Sequence, residues 1–117
     1  YNTILKYESD LAAQMAKNMI MPAVLSYQGG LAETIKAVET SNKGKVTETR
    51  KILKEVTDLT ETAWEQIAKL EKASPSGAAE KIKSAMEELR ETIDTLEGYV
   101  PAETWPLPSY AEMLFLS

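Results

Sequence analysis

Three carboxylates in the last third of the chain, Glu87, Glu91 and Asp94, recur at i, i+4 and i+7. That spacing lines one face of a helix. Convergent carboxylate oxygens are what a hard cation such as Mg²⁺ takes. Lys83 and Arg90 stand close by on the same helix, and all these positions lie opposite its apolar seam. A solvated charged face therefore accounts for the three acids better than a metal site does. The rest of the chemical inventory is thin. The chain has no His and no Cys, which removes Ser–His and Cys–His nucleophile pairs and ordinary zinc sites. Gly29-Gly30 lacks the GK[ST] or GxGxxG context of a phosphate loop. No paired acids and no activated nucleophile are evident. The chain alone is expected to be non-catalytic and to hold no cofactor or metal.

The elements that carry these residues follow from length and charge. The 117 residues, 44% of them apolar, suit one globular domain with a modest core. Net charge is −5. Residues 1–77 hold 10 acidic and 10 basic side chains, whereas residues 78–117 hold 8 acidic and 3 basic. An acidic chain with no basic stripe argues against a nucleic-acid partner. No apolar run approaches the roughly 20 residues that span a bilayer, so no membrane partner is expected. The first residue is Tyr1, and no signal-peptide pattern follows. The expectation is a piece of a longer, cytoplasmic protein.

Periodicity predicts an all-α fold: an antiparallel three-helix bundle with a long, kinked first helix and an extended C-terminal arm ending in a short helix. The bundle is expected over 1–100, with helices at about 3–40, 46–73 and 75–99, and the proline-braced arm over 101–117. In the first helix Ala12, Ala16, Ile20, Ala23, Val24, Tyr27, Leu31, Ile35 and Val38 recur every three or four residues. Ile4, Leu11, Met15 and Met19 widen that stripe, as in a helix covered on more than one side. Pro22 predicts a kink, because it has no N–H to donate and its ring crowds the preceding turn. Gly29-Gly30 weakens the same helix. Both features fit either a bent helix wrapping a core or a hinge.

The second helix carries the seam Ile52, Val56, Leu59, Ala63, Ile67 and Leu70, with Trp64 at its boundary. Lys51–Glu55 and Glu65–Lys69 form outward i,i+4 pairs. Ser74-Pro75 reads as the N-cap and first turn of the third helix. That helix has the stripe Ile82, Ala85, Met86, Leu89, Ile93, Leu96 and Val100, stopped by Gly98 and Pro101.

The chain closes with 103-ETWPLPSYAEMLFLS-117. Chain ends are usually small and polar, but four of the eight aromatics lie between Tyr99 and Phe115. Pro101, Pro106 and Pro108 favour an extended strap over 103–108. Ser109 and Glu112 then make a capping box ahead of one or two helical turns. Trp105, Leu107, Tyr110, Met113, Leu114 and Phe115 are the candidate interface residues, since these side-chain types are common in interface cores. The arm docks either on its own bundle or on another domain or subunit.

Two segments, 15-MAKNMIMPAVLSYQGGLAETI-35 and 86-MEELRETIDTLEGYVPAETWPLPSYAEMLF-115, together resemble the C-terminal region of type III glutamine synthetases. "WPLPSYAEMLF" and "MPAVLSYQ" are the most specific pieces, while residues of about 40–75 add little. The family pattern usually has a helix-forming residue where Gly29-Gly30 stands and a basic residue where Ala111 stands. The resemblance implies a parent that uses ATP and Mg²⁺ to condense glutamate with ammonia. It implies active sites between neighbouring subunits of a ring, and two rings forming a dodecamer. No catalytic motif of the family matches a position here, so no catalytic, cofactor-binding or metal residue is carried over. What remains is a helical domain whose partners are the catalytic domain of the same polypeptide and neighbouring subunits. The competing expectation is an independent three-helix adaptor that binds partner helices in a groove.

Overall fold

The computed structural model describes residues 2–41, 44–101, 103 and 105, with side chains from Ile4 onward. Every regular element among them is helical. A first helical path starts with α1 (Asn2–Met15), passes through a five-residue π segment (Ala16–Ile20), and continues as α2 (Met21–Ser41). The helix α3 (Thr47–Ser76) returns, and α4 (Ala79–Glu97) follows after a short turn. At about 1.5 Å per residue the first path is about 60 Å long, and the molecule's longest dimension is 59 Å.

The π segment sits immediately before Pro22, where the sequence predicts a disturbance. Met21 donates its N–H to the carbonyl of Ala16, five residues back. Pro22 has no N–H to continue an ordinary i→i−4 ladder, and a wider turn relieves its ring of the carbonyl below. The same turn keeps the core in register. Ala12, Ala16, Ile20 and Val24 are all fully buried at a constant spacing of four. That spacing drifts around a helix of 3.6 residues per turn, and the wide turn takes up the drift.

Cross-helix contacts give the packing direction pair by pair. Ser9 lies against Ser74, Lys17 against Glu71, Gln28 against Thr57, and Glu39 against Arg50. Positions on α3 fall as positions on the first path rise. Between α3 and α4, Lys69 meets Glu88 and Glu55 meets Tyr99, in the same descending order.

The core lies where the three helices meet. Val56, Ala63, Ile67 and Leu70 come from α3. From α4 and the turn after it come Ile82, Ala85, Met86, Leu89, Ile93, Leu96 and Val100, the whole expected stripe. Thr60 and Thr92 are buried in the same seams. Each hydroxyl bonds the carbonyl four residues back, Thr60 to Val56 at 2.6 Å and Thr92 to Glu88 at 3.3 Å, so neither is left as a buried unpaired group.

Three expectations need correction. Ser74-Pro75 does not start a helix; it lies in the last turn of α3, and α4 begins at Ala79. Ser74 continues the buried seam from Leu70, and the helix stops instead at Gly77, whose φ of 69° is left-handed. The second correction concerns the expected i,i+4 pairs. Lys69 bonds Glu88 of α4 at 3.0 Å, Glu55 takes the Tyr99 hydroxyl, and Lys51 pairs with Glu48. Tertiary partners have replaced local ones for Lys69 and Glu55, while Lys51 takes a different local partner. The third concerns the widened stripe on the first helix. Ile4, Leu11 and Met19 are exposed, while Met15 is half-buried and packs against the core.

Candidate functional site

The three acids that opened the chemical question do not form a site. Glu87, Glu91 and Asp94 are all exposed. Asp94 faces Arg90 at 3.8 Å on its own helix. No group of three or more carboxylates among the described residues is placed to hold a metal ion. Two shallow surface depressions among the described residues have charged residues in their lining, the first presenting mostly apolar surface. One between α3 and α4 is lined by Lys69, Lys72, Ser76, Glu80 and Lys81. Another lies between the π segment and α3, with Asp10, Gln14, Lys17 and Glu71 around it. Lys69 and Lys17 are engaged there by Glu88 and Glu71. No helix among the described residues is long and apolar enough to cross a membrane.

What the chain does build is a set of contacts at the root of its C-terminal arm. Gly98, Tyr99 and Val100 close the end of α4 by donating their N–H groups back to Thr95 and Leu96. Val100 then enters the core, and the Trp105 N–H bonds the carbonyl of Pro101 at 3.1 Å. This bond closes back on the end of α4, whereas the sequence predicts an extended strap over 103–108. Trp105 is 7% exposed and packs in the bundle's own apolar cluster. Its indole Nε1 is buried without a hydrogen-bond partner among the described residues. Beside it, Tyr99 donates its hydroxyl to Glu55 of α3. That bond, then burial and the carboxylate's charge, push the phenol above its ordinary pKa of 10.0.

Of the interface candidates, the structure places Trp105. Leu107, Tyr110, Met113, Leu114 and Phe115 lie outside the described residues, as does the capping box of Ser109 and Glu112. Sequence periodicity does not separate the core of the first helical path from the apolar side chains it leaves exposed. Ile4, Tyr7, Leu11, Met19 and Leu25 are exposed to 63, 70, 36, 38 and 43%. Ile4, Tyr7 and Leu11 share a face by their spacing, while Leu5, Ser9, Ala12, Ala13 and Ala16 form the buried side of the same helix.

Two comparisons with known proteins bear on this arrangement. The chain is similar over nearly all its length to two glutamine synthetases, one of them type 3. It is 23% identical over 133 residues to the type-3 glutamine synthetase of Dictyostelium discoideum, covering 99% of this chain and 18% of that protein. It is 28% identical over 132 residues to the glutamine synthetase of Bacteroides fragilis (strain YCH46), covering 98% of this chain and 18% of that protein. The chain thus spans less than a fifth of the length of these relatives. The resemblance read from residues 15–35 and 86–115 therefore extends across residues 40–75 as well. No protein-family model matches the chain. No solved structure matches it.

Proposed function

We propose that this chain is a non-catalytic C-terminal helical domain of a type III glutamine synthetase, with a structural or subunit-interaction role. One observation carries the reading: the similarity takes in almost the whole chain but only 18% of each relative. A segment of that share has room for one helical unit and leaves the bulk of the enzyme elsewhere. The descending cross-helix pairs support an antiparallel three-helix bundle as its scaffold. The π segment before Pro22 supports a bend in the first helix.

In this reading the parent is a cytoplasmic, ATP- and Mg²⁺-dependent glutamate–ammonia ligase of glutamine biosynthesis and nitrogen assimilation. Its partners are the catalytic domain of the same polypeptide and neighbouring subunits of a dodecamer. Leu107, Tyr110, Met113, Leu114 and Phe115 form the oligomer or interdomain contact, and Trp105, buried in the bundle, anchors the root of the arm that carries them. The adaptor reading, by contrast, needs an apolar groove between helices. The almost complete coverage of this chain by two glutamine synthetases favours the ligase reading.

Ligase assays separate the two. The 117-residue chain alone should give no ATP-dependent glutamine formation. The full polypeptide encoded by the same gene should give it, and both ATP and Mg²⁺ should be required. An open reading frame with no ligase activity in the full polypeptide would overturn the proposal.

A further inference from the structure

Among the described residues, the two most exposed large apolar side chains are Ile4 and Tyr7, at 63 and 70%, and Leu11 follows at 36%. They stand at i, i+3 and i+7 of α1, on one face of a regular helix. The other sides of that helix are accounted for. Leu5, Ala12 and Ala16 are buried, and Met15 packs against the core. Asp10 and, just beyond α1, Lys17 meet Ser74 and Glu71 of α3. The face of Ile4, Tyr7 and Leu11 therefore points directly away from the bundle.

Size decides what such a face can hold. At about 150–250 Å² for a large side chain, the three together present roughly 250–400 Å². A stable complex between separate proteins buries about 800 Å² from each partner. The face is at most about half of that, too small to hold a second copy of this chain from solution. A surface on the same polypeptide needs far less area, because a tether supplies an effective concentration on the order of mM. The two relatives have such a surface to offer, since the matched segment is only 18% of each. Charge narrows the chemistry further. Lys6 and Glu8 stand beside Tyr7 with opposite signs, and Asp10 is already engaged by Ser74. The face thus selects an apolar occupant over an acidic or a basic one.

We propose that Ile4, Tyr7 and Leu11 seat this domain on an apolar surface elsewhere in the same polypeptide, with Tyr7 at the centre of the contact. The inference rests on the ligase-domain reading above, which supplies the larger polypeptide, and it names one surface by which the domain is held. It is independent of the C-terminal arm.

Hydroxyl-radical footprinting of Tyr7 and Leu11, read by mass spectrometry, compares the 117-residue chain with the full polypeptide of the same gene. Tyr7 should be modified as readily as an open tyrosine in the 117-residue chain and several-fold more slowly in the full polypeptide, at every protein concentration. Equal rates in the two would overturn the proposal. Protection already present in the dilute 117-residue chain would put its own C-terminal segment on the face. Protection that rises with the concentration of that chain would put a second copy there. Protection of the full polypeptide that is lost on dilution to single subunits would put a neighbouring subunit there. Each of these three also overturns it. As a second measurement, Tyr7→Glu should leave the melting temperature of the 117-residue chain unchanged and lower that of the full polypeptide; no change in either would contradict a seated face. The ligase assay stands apart from both. A full polypeptide with Tyr7 protected but no ligase activity would sink the functional reading and keep the contact, and an active ligase with Tyr7 open would do the reverse.

Discussion

The Ser9 hydroxyl donates to the Ser74 hydroxyl at 2.9 Å, joining residues 65 positions apart in the chain. Both side chains are buried, at 0 and 1% exposure. Ser74 in turn donates to Asp10 at 2.5 Å, and Ser9 can also reach the carbonyl of Lys6 at 2.9 Å. The small cluster locks the last turn of α3 onto α1. It is a buried polar link between α1 and α3 in a largely apolar seam.

Ser74→Ala should therefore destabilise the chain by about 1–3 kcal/mol, the range for losing a buried hydrogen bond to a charged group. Ser9→Ala should cost less, because Ser74 keeps its bond to Asp10. Urea unfolding of both variants checks the order. Equal losses would show that Asp10 does not hold Ser74.

Gly29 and Gly30 lie inside α2 with no atom within 4 Å of where a Cβ would stand. Replacing either by Ala should stabilise the helix by about 0.5–1 kcal/mol, since Gly loses more backbone freedom on folding than Ala. Thermal melting of the two single variants and the double variant measures this. A loss of stability in the 117-residue chain would show that the glycines serve a close backbone approach or a hinge.

Tyr99 sets the expected response to alkali. Its phenol titrates above 10.0 in the folded chain because Glu55 accepts its hydrogen bond. A raised pKa in the folded state means that folding favours the protonated form. The contribution is complete below the ordinary value and is lost as pH rises through the folded value. Tyr99→Phe should thus melt lower than the native chain near neutrality, and the gap should close above about pH 10. Melting curves across that range check the sign, and a gap that widens with alkali would contradict it.

The seams were the most legible part of this sequence. Ile82, Ala85, Met86, Leu89, Ile93 and Leu96 are all buried, as an amphipathic stripe requires. Ser74 was misread because a serine before a proline is a strong helix-start signal. Only its place four residues beyond Leu70, together with Gly77 three residues later, marks it as seam. Thr60 and Thr92 escaped for a related reason. A polar residue enters a seam when it can bond the turn below, and apolar periodicity does not register that. At Pro22 the sequence marks where the ladder must change but not how, and a bend and a π turn satisfy the same missing N–H. The pairing of Lys69 with Glu88, in place of Glu65, depends on which helices become neighbours. No spacing within one helix contains that information. Of the candidate contact residues, the sequence signalled Trp105 through its proline neighbours, but not that it would be buried against its own bundle. Ile4 and Leu11 read as extra core, because apolar type alone does not distinguish a buried position from an exposed one.

The central claim is that the helical domain and its arm hold an enzyme together without taking part in its chemistry. Light scattering on the full polypeptide truncated after Pro101, set beside the intact polypeptide, tests it most directly. The account predicts smaller or less heat-stable assemblies in the truncated form, with ligase activity per assembled site preserved. An unchanged particle mass and melting temperature, or activity lost from particles of full size, would contradict it.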